Sequence, residues 1–292
     1  MKIVFFGTPQ FVVPILESLL KTHDVIALVT TPDRKVGRKQ LLTPSPVKAA
    51  YQTYCEQPLA KKYYPPRIFT PEKLSTIAEE LKLLQPDLFI VAAYGKIIPK
   101  AILEIPLMGA INVHPSLLPT YRGPTPIQQT LLNGDKVTGV SLIKMDEQVD
   151  HGPLLATESY EVHPTDTFET LANHLFGKAA EILPHVIDAF AAGSIKPMVQ
   201  EEEKATFTKL ITKEDGAIDL EKPPTKEKLE RMTRAYFPWP TVWTKITIKN
   251  KEVLMKLLPG NKIQLEGKNP MTVKDFINGY PETKELLQAI LL

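Results

Sequence analysis

MKIVFFGTPQFVVPILESLLKTHDVIALVT, residues 1–30, decides the class of fold. Lys2–Phe6 is a short apolar run stopped by Gly7-Thr8-Pro9, the pattern of a buried strand that ends in a turn. From about Phe11 to Lys21 apolar residues recur at helical spacing, and Pro14 is tolerated in the first turn, where its missing N–H has no partner to lose. Val25–Val29 is a second apolar run. Strand, helix and strand in this order form a βαβ unit, whose crossover connection sets the two strands parallel.

The alternation continues along the chain. After the loop TTPDRKVGRKQLLTPSP, residues 30–46, a helix begins at about Val47. A helix near Pro71–Leu83 leads to a strand at Asp87–Ala92, and Ala110–Val113 and Gly139–Lys144 supply two more. The expected architecture is therefore α/β, a doubly wound and mostly parallel sheet of the Rossmann-like kind. Thr167–Ala192 is the longest helical pattern, with Leu171, Leu175, Ala179, Ile182 and Val186 on the face expected to pack on the sheet. Beyond Gly193 the chain turns polar, and Gln200-Glu-Glu-Glu-Lys204 reads as a linker. This predicts two domains, 1–203 and 204–292. In the second, Thr241–Ile248, Val253–Leu257 and Ile263–Leu265 read as short strands around turns at Asn250 and Pro259-Gly260.

A chain of 292 residues suits two domains, and 43% hydrophobic with 23% charged residues is ordinary globular usage, which excludes a disordered or fibrous class. Cys55 is the only cysteine, so no disulfide forms within the chain, which suits a reducing compartment. The apolar run before Gly7 is too short for a signal peptide or a membrane span, and a cytoplasmic protein without membrane contact is expected. Net charge is +2, but residues 204–292 hold 16 Lys and Arg against 11 Asp and Glu. The basic end suits a polyanionic partner, and equally a solvated lysine-rich surface.

The first turn carries only Gly7, so the G-x-G-x-x-G dinucleotide fingerprint is absent; P-loop, zinc and G-x-S-x-G patterns are absent too. What stands out is GAINVHPSLLPTYRG, residues 109–123, running off the end of a strand. Asn112 and His114 are two apart, so in an extended chain an amide and an imidazole share one face at the carboxyl edge of the sheet, where open α/β folds bind ligands. The loop MDEQVDHGP, residues 145–153, follows the next strand and brings Asp150 towards the same edge. Taken singly, Asn112 is also readable as a turn residue, His114 as an interior histidine and Asp150 as part of a surface turn. His151 with His114 suggests a metal site, but no further ligand has a recognisable spacing, so none is expected.

NVHPSLLPTYRG and VDHGP resemble the signature of the folate-dependent formyltransferase superfamily. The resemblance implies that Asn112, His114 and Asp150 are catalytic and that Ser116, Leu117, Leu118 and Pro119 line the folate site. VAAYGKIIP, residues 91–99, is similar to a pocket strand and loop of these enzymes, adding Ala92, Tyr94 and Gly95. MKIVFFGTPQFVVPILESLL, PDRKVGRKQLLTPSPVK, FTKLITKEDGAIDL and RAYFPWPTVW are similar in order and spacing to the branch that acts on methionyl-tRNA. That likeness implies 10-formyltetrahydrofolate as co-substrate, methionyl-initiator tRNA as partner, a monomer, and contact of the loop carrying Arg34, Lys35, Arg38 and Lys39 with the tRNA acceptor stem. It also implies a small C-terminal β-barrel, here shortened, with only Pro-Gly-Asn-Lys between Leu258 and Ile263. The family loops carry glycine where Lys39 and Gln148 stand. A sugar-nucleotide formyltransferase shares the catalytic set but needs neither the basic loop nor FPWP; a non-catalytic RNA- or folate-binding relative has no use for all three catalytic groups.

Overall fold

The structure, a computed structural model, describes residues 1–37, 39–56 and 65–291, with side chains to Leu287. Its residues divide into two compact units, one of 1–123, 139–160 and 172–207, the other of 124–138, 161–171 and 208–292. The division at Phe207/Thr208 falls near the linker expected at 200–204. The second unit also takes in two upstream segments that a cut at 203/204 leaves out.

Among the described residues, the first unit is built on seven strands: β1 (Lys2–Gly7), β2 (Asp24–Val29), β5 (Arg67–Phe69), β6 (Leu88–Ala92), β7 (Ala110–His114), β8 (Val137–Lys144) and β9 (Leu154–Glu161). Their order is β5-β2-β1-β6-β7-β8-β9. β5, β2, β1, β6 and β7 pair in parallel, and β8 runs antiparallel to β7. The chain winds outwards from β1 to β2 and then crosses to β6 on the other side, so the switch point lies at the carboxyl ends of β1 and β6. Two of these strands escape a reading of apolar runs. β9 alternates, with Leu154 and Leu155 buried and later residues half-buried or exposed, and β5 has only three residues.

Buried Ile3, Phe5, Leu28, Phe89, Ile90 and Ile111 fill the sheet, each worth about 1.5–3 kcal/mol when fully withdrawn from water. The helix Val13–Thr22 covers it, carrying Pro14 in its first turn as expected. Beside it lies the helix Phe168–Ala191, where Phe11 meets Phe176 at 4.9 Å between ring centroids and Ser18 Oγ donates to Ala180 O at 2.8 Å. Its buried stripe includes Leu171, Ala172, Leu175, Ala179, Leu183 and Ile187, while Ile182 lies at the margin of the stripe. No helix among the described residues is long and apolar enough to cross a membrane.

Two further strands, β3 (Arg34–Val36) and β4 (Leu41–Thr43), turn the basic loop into a hairpin in the register Lys35↔Leu42. In the second unit β10 (Val242–Ile248), β11 (Lys251–Leu258), β12 (Lys262–Leu265) and β13 (Met271–Thr272) form an antiparallel sheet in that order. The small β-structure expected of the C-terminal part is thus a four-stranded meander. The helices Pro126–Asn133 and Lys226–Tyr236 pack together in the same unit, joined where Arg231 Nη1 donates to Asn133 O at 3.0 Å.

Candidate active site

The register of β6 and β7 pairs Val91 with Asn112 and Ala92 with Val113, so the exits of these strands lie side by side. Asn112 and His114 point to one face of β7, the first half-buried and the second 3% exposed. Asp150 comes from the loop after β8 with φ of +48°, in the left-handed region that side chains other than glycine rarely occupy. It meets both. Asn112 Nδ2 donates to Asp150 Oδ1 at 3.1 Å, and His114 Nδ1 lies 3.5 Å from Asp150 Oδ2. Gly123 N donates to the same Oδ2 at 2.8 Å, so the carboxylate is fixed at both oxygens.

The other ring nitrogen, His114 Nε2, lies 3.0 Å from Tyr121 O. A carbonyl oxygen can only accept, so Nε2 is the ring's donor here and Nδ1 is the nitrogen that faces Asp150. An amide donor, an imidazole and a carboxylate that converge at a strand end can stabilise a developing oxyanion and accept or return a proton.

The exit loop after β7 is held by residues that packing would otherwise hide. Ser141, opposite His114 in the β7–β8 register, donates from Oγ to Ser116 O at 2.7 Å and accepts from Leu118 N at 3.0 Å. Ser116 is buried, and its hydroxyl donates to Thr120 O at 2.6 Å, which commits it to the loop. Leu118 is buried while Leu117 and Pro119 are half-buried, with a cis peptide at Leu118–Pro119. On the neighbouring exit, Thr8 Oγ1 donates to Tyr94 O at 3.2 Å. Gly95 has φ of +81° and open space where a Cβ would stand. Tyr94 itself belongs to the core, its ring 5.5 Å from that of Phe6, and its buried hydroxyl has no hydrogen-bond partner among the described residues. Burial pushes its pKa up to about 12.

Of the other expected residues, Arg34, Lys35 and Lys39 are exposed on the β3–β4 hairpin and its turn, and Arg38 lies outside the described residues. At Gln148, where the resemblance leads to the expectation of a glycine, the backbone N donates to Asp146 Oδ1 at 2.9 Å and closes the turn. His151 pairs with Asp146 at 2.6 Å rather than with His114. Three residues near the site have no role in a reading of the motif alone: Ser141, Arg122 and Gln200. A polar Ser141 inside the buried strand Gly139–Ile143 is a usable signal. Arg122 is hidden within the motif, buried and paired with Glu202, and Gln200 lies in what looks like a solvated linker.

Residues 1–187 match the family model described as formyl transferase. The chain is 43% identical over 247 residues to the methionyl-tRNA formyltransferase of Chloroflexus aurantiacus, covering 84% of this chain and 76% of that one. It is 37% identical over 311 aligned positions to the methionyl-tRNA formyltransferase of Enterococcus faecalis, covering 95% and 96%. The solved methionyl-tRNA formyltransferase from Clostridium thermocellum aligns with a TM-score of 0.58 at 19% identity, over 94% of this chain and 99% of that one, a likeness of fold.

Proposed function

The chain belongs to the methionyl-tRNA formyltransferase family, and on that premise we propose that Asn112, His114 and Asp150 transfer the formyl group of 10-formyltetrahydrofolate to the α-amino group of methionyl-initiator tRNA. The observation that carries this reading is the meeting of Asn112 and His114 on one carboxylate, Asp150, at the carboxyl end of β7.

The co-substrate supplies a formyl group on a nitrogen that can leave. The acceptor is an amine that must attack in its neutral form, and an α-amino group titrates at roughly 7.7–8.0, so a usable fraction is neutral near pH 7. The Asn112 amide carries two N–H groups and gives one to Asp150. The second is the donor to the formyl oxygen as negative charge builds on it, a role typically worth about 3 kcal/mol per donor. Asp150 accepts the proton the attacking amine sheds, and the His114 ring, held by Tyr121 O, shares that proton through Nδ1 and makes it available to the departing nitrogen.

Ala92, Tyr94 and Gly95 with Ser116, Leu117, Leu118 and Pro119 would hold the folate. The open space at Gly95 and the apolar side chains of Leu117 and Leu118 suit a flat ring, whereas Ser116 and Tyr94 contribute through backbone and packing. Arg34, Lys35, Arg38 and Lys39, with the basic residues of 204–292, are the surface for tRNA phosphates, and 1–203 forms the catalytic part. One chain holds all three catalytic groups, in keeping with a monomer, and a lone cysteine in keeping with the cytoplasm. The test is to incubate the protein with charged initiator tRNA and 10-formyltetrahydrofolate and release the amino acid with alkali. N-formylmethionine is the expected product, and its absence would refute the reading.

A further inference from the structure

Gln200 is 7% exposed, and every polar atom of its carboxamide is engaged. Nε2 donates to Asp150 O at 2.9 Å and to Gly152 O at 2.7 Å. Oε1 accepts from Arg122 Nε at 3.2 Å and Nη2 at 3.0 Å. Arg122, 1% exposed, is a deeply buried cation; its Nη1 and Nη2 each meet a Glu202 oxygen at 2.9 Å, which holds the Glu202 carboxyl below its ordinary range. Two backbone ties fix the ends of this chain of bonds. Leu154 and Met198 exchange both amide bonds at 2.8 Å, and Arg122 N donates to Thr206 O at 2.8 Å. Gln200 therefore reaches the Asp150–Gly152 turn from a segment braced by the bridge at Met198.

The turn needs such a brace. Asp150 adopts a left-handed backbone, an arrangement that persists only when its surroundings over-determine it. Its side chain is held by Asn112 and Gly123, but its main chain by Gln200. We propose, building on the formyl-transfer reading above, that Gln200 is a positioning residue for that reaction: it couples the buried Arg122 guanidinium to the backbone of residues 150–152 and so sets where the Asp150 carboxylate stands.

The substitution that separates this role from a general packing role is Gln200→Glu. A carboxylate of the same shape keeps, and strengthens, the pairing with Arg122, but it has no hydrogen to give and points an oxygen at the carbonyls of Asp150 and Gly152. The expected result is a thermal midpoint no lower than wild type with kcat reduced about 10- to 100-fold and KM for charged tRNA nearly unchanged. Lowering the pH protonates the glutamate and restores a donor, so the deficit relative to wild type should shrink towards acid. Gln200→Ala, which removes both ends, should lower kcat and the thermal midpoint together. Hydrogen exchange at the Gly123 amide, the donor to Asp150 Oδ2, reads the same positioning without turnover, and should quicken in Gln200→Glu. Wild-type kcat and unchanged Gly123 exchange in Gln200→Glu would overturn the proposal. An inactive wild type with faster Gly123 exchange in the variant would instead overturn the reaction and leave the brace standing.

Discussion

Asn112 Nδ2 donates to Asp150 Oδ1 at 3.1 Å, joining the carboxyl half of β7 to a loop 38 residues further on. The bond orients both partners. It turns the amide so that its second N–H faces away from Asp150, and it leaves the other carboxylate oxygen to Gly123 N and His114 Nδ1.

If that geometry does the chemistry, Asn112→Ala and His114→Ala should lower kcat at least ~100-fold while folate binding stays within a few-fold of wild type, because a donor to developing charge and a carrier of the transferred proton both act mainly in the transition state. Asp150→Asn should be as harmful. It replaces one oxygen with an NH2 among groups that already donate to the carboxylate. Steady-state kinetics with a separate folate titration checks this, and near-normal turnover in any folded variant removes that residue from the role.

The pair is legible in the sequence because a two-residue step on a strand puts Asn112 and His114 on one face whatever the rest of the fold does. The class of fold is legible for a similar reason, since β1, β2 and β6 are almost wholly buried and, past the first residue of β1 and β2, read as apolar runs. β9 and β5 are not, being respectively an alternating edge strand and one of three residues. The division of the chain is only partly visible, because 124–138 and 161–171 join the second unit by packing that no local pattern announces. Gln200 is hidden for another reason. A glutamine in a run of glutamates looks solvated until the backbone places it against Asp150 and Arg122.

Gly152 gives a test of the loop itself. A Cβ at this position would collide with Lys144 O, a backbone atom that cannot swing aside. Gly152→Ala should cost about 1–3 kcal/mol of stability, as overpacking does. Displacement of Asp150 should also lower kcat in the protein that remains folded. Chemical denaturation and kinetics on the soluble fraction measure both, and a variant equal to wild type in each would show that the loop does not hold Asp150 as described.

Alkaline pH probes Tyr94. Its pKa in the folded protein is pushed up to about 12 by burial, against 10.0 for an exposed tyrosine. A folded value above the unfolded one means that this contribution to stability is complete below about pH 10 and is lost as pH rises towards about 12. Tyr94→Phe should abolish that share of the alkaline fall. At neutral pH it should be neutral or stabilising by up to about 1 kcal/mol, because the hydroxyl it deletes is buried without a partner among the described residues. Denaturation curves at pH 8 and 11 for both proteins decide it, and equal losses would contradict the burial argument.

The hairpin of β3 and β4 predicts a salt signature. Lys35 and Lys39 are exposed cations away from the catalytic motif, and each phosphate they neutralise releases condensed counterions. The Lys35→Ala, Lys39→Ala double variant should bind charged tRNA more weakly and flatten the slope of log K against log salt by about 1 for each phosphate left without its lysine. Folate binding should not change. An unaltered slope would take the hairpin out of the tRNA surface.

The central claim is best tested by measuring kcat/KM for wild-type protein, with 10-formyltetrahydrofolate saturating, on methionyl-initiator tRNA and on an amino-sugar nucleotide under the same conditions. Both amines satisfy the Asn112, His114 and Asp150 chemistry, so the ratio reports what the rest of the chain is built to present. The expected outcome is efficient formylation of the charged tRNA with little or no turnover of the sugar nucleotide. Robust turnover of the sugar nucleotide with none of the tRNA would contradict the account.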